Sequence, residues 1–228
     1  MQDNKIKFPP RLFITGTDTG IGKTVVSAIL MAGLRGIYWK PIQSGLDDIT
    51  DTEWIRDKTG LPARHFLPEI YRFRLPLSPH ASAAHDGIKI DLELFTVPEI
   101  KESEHLIIEG AGGVMVPLND RHLITDLINK LNFPVLLVSS NSLGTINHAL
   151  LSLEKLKREG LEVMGVVMNG PKNPINRKAV EHYGRIKVLA EIEYLPIIDP
   201  KSLVQSFKEH FIAPFGGREK NPRHQVKT

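Results

Sequence analysis

The run Gly16-Thr17-Asp18-Thr19-Gly20-Ile21-Gly22-Lys23-Thr24 carries the residue types needed to hold a phosphate chain. It follows a short apolar stretch, Arg11–Thr15, and precedes Val25–Leu34, which is long enough for a helix. Strand, glycine loop, Gly-Lys-Thr and helix, in that order, form the context in which a loop cradles phosphate. Glycines let the backbone curl so that successive N–H groups face an anion, and the helix N-terminus adds its positive end. Lys23 is placed to neutralise the β- and γ-phosphates, and the Thr24 hydroxyl to ligate Mg²⁺. Counted back from Gly22, the outer glycine lies one place earlier than in the usual pattern, so the loop is one residue longer.

Two carboxylates could complete a magnesium site. Glu109 ends the apolar run Leu106–Ile108 and opens Gly110-Ala111-Gly112-Gly113, where the backbone can approach a ligand closely. Asp51 stands at a predicted helix start. It also fits a plain helix cap there, and Asp47 and Asp48 compete for the role. Lys40 closes the apolar stretch Gly36–Trp39 before Pro41, so it faces the same crevice as Lys23 and could stabilise a transferring phosphoryl group. Asn169, followed by Gly170, ends Val163–Met168. Its amide suits a nucleobase, and Asn-Gly equally suits a turn.

The elements that must position these residues alternate in type. Apolar strands are expected at 11–15, 36–40, 106–109, 135–138, 163–168 and 188–190, and helices at 25–34, 51–56, 123–131, 145–159, 177–185 and 200–211. A weaker helix is expected around Asp91–Glu102, and residues 60–90, punctuated by prolines, read as a long irregular stretch with a functional purpose. Continuous apolar strands between helices predict an α/β fold: one mostly parallel sheet covered by helices on both faces, with ligands at the carboxyl ends of its strands. Residues 1–10 read as a lead-in, 11–215 as a single nucleotide-binding domain and 216–228 as a basic flexible tail.

Composition excludes several classes. With 228 residues the chain can bury a sizeable core, and with no cysteine it has no disulfide, thiolate metal site or cysteine nucleophile. The net charge of +3 resides in the tail, where Arg218, Lys220, Arg223 and Lys227 face only Glu219, so the body is neutral and no nucleic-acid face is expected. There is no membrane-length apolar run and no signal-peptide pattern, which favours the cytoplasm. No His-Glu-x-x-His or Gly-x-Ser-x-Gly run occurs, leaving zinc and serine hydrolysis unsupported.

Taken together, five stretches in order resemble the dethiobiotin synthetase family. They are the Gly16–Thr24 loop with Thr-Asp-Thr inside it, Tyr38–Gly45, Leu77–His80, Glu109–Gly113 and Leu143–Ala149. The resemblance implies ATP- and Mg²⁺-dependent carboxylation of 7,8-diaminononanoate by CO₂, with ring closure to dethiobiotin, ADP and phosphate. It implies Thr24, Asp51 and Glu109 as metal ligands and Lys40 and Lys23 as catalytic lysines. Nucleotide contacts are implied for Gly20, Ile21, Gly22 and Val25 of the loop, for Gly110, Ala111 and Gly112, and for Asn169 with Gly170. Substrate contacts are implied for Ser44 and Gly113, and, across the interface of a homodimer, for Gly144, Thr145, Asn147 and Tyr183. Family members often have Gly-Glu-Ile-Pro where this chain has Ala190-Glu191-Ile192-Glu193, so the base preference stays open. A nucleotide-switch ATPase of the partition or metal-insertion type is the competing expectation. Such proteins usually carry a second lysine early in the loop, where Thr17 and Asp18 stand here.

Overall fold

The computed structural model describes residues 6–101 and 104–212. The expected tail, residues 1–5 of the lead-in and part of the 91–102 stretch lie outside the described residues. Six parallel strands form the sheet, in the order β2 (Ile37–Trp39), β5 (Leu106–Gly113), β1 (Arg11–Gly16), β6 (Val135–Ser140), β7 (Val163–Asn169), β8 (Val188–Ile192).

Both faces of this sheet are covered, which explains why its strands read as unbroken apolar runs. Alternate residues point to opposite sides. Leu12, Ile14, Leu136 and Val138 pack under α1 (Lys23–Leu34), α2 (Asp51–Thr59) and α7 (Pro200–Phe207). Phe13, Val135, Leu137 and Met168 pack under α4 (Ile124–Leu131), α5 (Thr145–Arg158) and α6 (Pro174–Gly184). Contact between α1 and α7 is close: a Cβ at Gly33 would lie 2.1 Å from the Phe207 ring. No helix among the described residues is long and apolar enough to cross a membrane.

Local departures from the sequence expectations have physical causes. Residues 60–90 are less irregular than expected, because β3 (Ile42–Ser44) and β4 (Tyr71–Phe73) pair in a small parallel sheet and Pro79 opens α3 (Pro79–His85). Three-residue strands are too short to show a period of two. No helix forms at 91–101: only the 3₁₀ turn Leu92–Leu94 appears, with the Asp91 carboxylate capping the Glu93 N–H, and the β-branched pair Thr96-Val97 and Pro98 follow. β5 runs on through its glycines to Gly113, because Gly113 pairs with Gly16. The last helix ends at Phe207 and passes into a π-helical turn, Lys208–Ile212, that buries Phe211.

Helix α6 starts at Pro174, three residues earlier than expected, because the Asn173 side chain accepts from the Ile175 and Asn176 N–H groups. At α2, Thr50 caps the Glu53 N–H while the Glu53 carboxylate returns to Thr50. That capping box leaves Asp51 in the first turn, facing the strand ends.

Candidate active site

Register brings the charged residues together. Ile37, Tyr38 and Trp39 of β2 lie opposite Leu106, Ile107 and Ile108 of β5, and Lys40 and Glu109 are the next residues of the two strands. Lys40 and Glu109 are both buried, at 5% and 1% exposure, so neither charge is met by water. The Lys40 ammonium lies 2.7 Å from Asp51 Oδ2 and 3.3 Å from Glu109 Oε1. Thr24 Oγ1 lies 2.7 Å from Asp51 Oδ1 and 3.0 Å from Glu109 Oε1. Buried ion pairs contribute little net stability, so a buried charge cluster of this kind marks a candidate functional site.

The field of the cluster is visible in its proton affinities. Burial pushes Lys40 down, but Glu109 and Asp51 outweigh it and its pKa is raised. Burial pushes Asp51 up, yet the Lys40 charge and the hydrogen bonds from Lys40 and Thr24 hold it below the usual carboxylate range. Lys23 goes the other way: burial, with Lys40 nearby, lowers it to about 8 despite the charge of Glu109. A triphosphate beside Lys23 would favour its charged form.

The loop is shaped as an anion cradle. Gly22 sits at φ 96° as the residue before α1, and a Cβ there would lie 2.0 Å from the Asn169 amide nitrogen, so only glycine fits. Gly20 is exposed, also at positive φ, and Val25 lies in the first turn of α1. The Lys23 ammonium donates to the Asp18 carbonyl at 2.7 Å, folded over the loop. Asn169 Nδ2 donates to the Ile21 carbonyl at 3.1 Å, a loop-holding bond that the reading of Asn169 as a base contact or a turn residue did not include. Gly170 continues from it with φ 122°, beside the exposed Tyr194, and Glu193 pairs with Lys172 at 3.3 Å.

A cavity of about 260 Å³ opens beside the cluster, lined by Lys40, Ser44 and Asp51, by Pro76–Pro79, and by Ala111 and Gly112. The Ser44 hydroxyl is buried there without a hydrogen-bond partner, so it is an unused donor and acceptor. Gly110 packs on Phe13, and Gly113 lies against the Thr17 carbonyl and is not among the cavity's lining residues. Gly113 thus lies beside the loop, and Ala111 and Gly112 face the cavity.

The remaining residues assigned to substrate form a separate group. Gly144, Thr145 and Asn147 line a pocket of about 620 Å³ at the start of α5, and Asn147 with Tyr183 lines an adjoining groove of about 280 Å³. Neither shares a residue with the Lys40 cavity. The Thr145 hydroxyl is turned inward, bonded to Ser139 Oγ and the Ser140 carbonyl, which leaves its backbone for the pocket. Within one chain, then, Ser44 is not brought together with Asn147 or Tyr183.

Sequence reasoning missed Ser27, Tyr38 and Gln43. Ser27 and Tyr38 both donate to Glu109, and the Gln43 side-chain oxygen accepts from the Asp51 N–H at 3.3 Å. A signal existed: Ser27 is one helical turn beyond Thr24, and Tyr38 lies two residues before Lys40 on the same strand face.

A glycine loop between β1 and α1, a Lys-Thr pair at the helix start and acidic residues at neighbouring strand ends define a phosphate-loop nucleotide-binding α/β protein. The family described as an AAA domain matches residues 10–202. The chain is 44% identical over 205 residues to the ATP-dependent dethiobiotin synthetase BioD of Brucella anthropi, covering 90% of this chain and 96% of that protein. It is 43% identical over 203 residues to the protein of the same name from Bradyrhizobium diazoefficiens, covering 89% and 96%. Among solved structures, the MinC:MinD cell division protein complex of Aquifex aeolicus superposes with a TM-score of 0.50 at 14% identity, covering 89% of this chain and 86% of that one, a likeness of fold alone. The chain belongs to the dethiobiotin synthetase family.

The donor set fits Mg²⁺. Thr24, Asp51 and Glu109 present a hydroxyl and two carboxylates, all hard oxygens, within 3.0 Å of one another through Thr24. No group of three or more His, Cys, Asp or Glu among the described residues could hold a metal, so a cation here would need ligands from outside the protein. Magnesium takes few protein ligands and completes its shell with water and phosphate oxygens.

Proposed function

We propose that the chain uses ATP to carboxylate 7,8-diaminononanoate with CO₂ and closes the product into the cyclic urea of dethiobiotin, releasing ADP and phosphate. The observation that carries the reading is the Lys40 ammonium held between Asp51 and Glu109 at the mouth of a cavity that also contains the unpartnered Ser44 hydroxyl. The names of the relatives support it.

In this reading one amine of the diamine adds CO₂ and loses a proton, giving a carbamate anion. The carbamate oxygen takes the γ-phosphoryl group of ATP, and ADP leaves. The second amine then attacks the carbonyl carbon of the mixed anhydride, the C–N bond forms, the C–O bond to phosphate breaks, the released phosphate takes up the amine proton, and the ring closes. Lys40 faces the place where carbamate and γ-phosphate meet, and its charge offsets both anions. Lys23 swings from the Asp18 carbonyl to the phosphates. Thr24, Asp51 and Glu109 would hold Mg²⁺, which when bound offsets charge on the ATP phosphates. Ser44 accepts from, or donates to, the bound diamine.

The substrate chain is long enough to need a second anchor for its carboxylate, and Asn147 and Tyr183 lie outside the Lys40 cavity. We assign these to a second copy of the chain. Leu143, Leu151 and Tyr183 expose large apolar surface around Asn147, the property of a face that a partner covers. The same reading carries a cytoplasmic location with it.

The direct test supplies purified protein with Mg-ATP, bicarbonate and 7,8-diaminononanoate. The expected outcome is phosphate release that depends on both diamine and bicarbonate, with the cyclic product formed in equal amount. ATP hydrolysis indifferent to the diamine would overturn the reading in favour of a nucleotide switch. GTP and CTP in the same assay report the base preference.

A further inference from the structure

Glu109 is held by four groups that divide cleanly between its two oxygens. Oε1 faces Thr24 Oγ1 at 3.0 Å and Lys40 Nζ at 3.3 Å, on the cavity side. Oε2 accepts from Ser27 Oγ at 2.6 Å and from the Tyr38 hydroxyl at 3.0 Å. Ser27 and Tyr38 are both fully buried, on α1 and β2 respectively, and approach the carboxylate from different elements. Two donors fill the lone pairs of Oε2, which leaves Oε1 alone to face the Thr24 hydroxyl and whatever cation sits there.

We propose that Ser27 and Tyr38 are positioning residues that confine Glu109 to one-oxygen coordination, and thereby make the site select Mg²⁺ over larger cations. The inference rests on the magnesium reading of Thr24, Asp51 and Glu109 given above. Turning the carboxylate to offer both oxygens would break two charge-assisted hydrogen bonds and strand two buried hydroxyls. Ca²⁺ gains most from bidentate carboxylates and flexible shells, whereas Mg²⁺ takes single oxygens in a tight octahedron. The lock therefore costs calcium more than magnesium. Tyr38 suits this role because it is fully buried and its hydroxyl bonds Glu109. Its ring keeps an edge contact with Phe66 that a phenylalanine would retain.

The test is metal binding and not turnover. Wild type, Ser27→Ala, Tyr38→Phe and the double variant are each titrated with Mg²⁺ and with Ca²⁺ in the presence of a non-hydrolysable ATP analogue, by calorimetry, with circular dichroism and melting curves alongside. The expected result is a Mg²⁺ affinity reduced about tenfold or more in the double variant, the usual effect of losing partners behind a metal ligand. Ca²⁺ affinity is expected to hold or rise, so the Mg²⁺/Ca²⁺ ratio shifts toward calcium. An unchanged ratio, including a parallel loss of both metals, would overturn the inference and leave the two hydroxyls as packing. If the double variant does not fold, Ser27→Ala alone must shift the ratio, since alanine is favourable in a helix interior and removes one of the two Oε2 donors. A wild type that binds neither cation with the nucleotide would remove the magnesium reading itself, a result distinct from an unshifted ratio.

Discussion

The Lys40 ammonium and the Asp51 carboxylate meet at 2.7 Å, one just past the end of β2 and the other at the first residue of α2. Their proton affinities move in opposite and mutually consistent directions, Lys40 upward and Asp51 downward, so both stay charged at neutral pH. Lys40→Met is expected to lower kcat about 10²–10³-fold, the scale of losing one preorganised charge at a transition state. Equilibrium binding of ATP should survive. The check is a comparison of single-turnover product formation with nucleotide binding. Near-normal turnover would remove Lys40 from the chemistry.

Lys23 presents a different profile: burial lowers its pKa, and its ammonium bonds a loop carbonyl and not a carboxylate. Lys23→Gln should reduce kcat/KM for ATP about 10²–10³-fold while leaving the KM for the diamine little changed. Initial-rate measurements with each substrate varied in turn separate the two effects. Equal losses for both substrates would mean the lysine supports the whole cleft.

Asn147 and Tyr183 lie in a groove apart from Lys40, so a shared site makes a complementation experiment decisive. Asn147→Ala and Lys23→Ala subunits, each inactive alone, are mixed, unfolded gently and reassembled. Random pairing in a two-fold dimer with composite sites restores about a quarter of wild-type activity, since half the dimers are mixed and each has one intact site. A mixture that stays inactive would place both residues in one chain's site or remove the dimer.

The capping box at α2 gives the protein part of its acid sensitivity. The backbone N–H of Thr50, then its hydroxyl, hold the Glu53 carboxyl below its usual pKa. A carboxylate depressed in the folded state contributes stability that is present above its unfolded value of about 4.3 and is lost as pH falls through the lower folded value. Glu53→Gln should therefore flatten the stability profile below about pH 4.3 and leave it parallel to wild type at neutral pH. Denaturant unfolding across that range measures it. Thr50→Ala should cost about 1 kcal/mol at neutral pH, the usual loss of an N-cap.

Much of the site was legible because its residues close apolar strands. Lys40, Glu109 and Asn169 each follow a run of buried residues, and a polar side chain at the end of a parallel strand faces the ligand crevice. The Gly16–Thr24 loop was readable from spacing alone, and so was the alternation that builds the sheet. The short strands β3 and β4 escaped because three residues carry no periodic signal, and the helix expected near 91–102 is a turn whose cap sits on Asp91. Ser27 and Tyr38 are core residues by burial. Only the distance to Glu109 shows the second use of their hydroxyls. β5 continues past Glu109 because Gly113 pairs with Gly16, which the glycines hid in the sequence.

The bond from the Asn169 amide to the Ile21 carbonyl joins residues 148 positions apart. It bears on how the chain acquires its shape during synthesis. The first strand and helix emerge early, but this bond to the loop between them cannot form until a strand near the other end arrives. A nascent chain that stops short of β7 has the whole glycine-lysine-threonine run yet lacks the brace that shapes it.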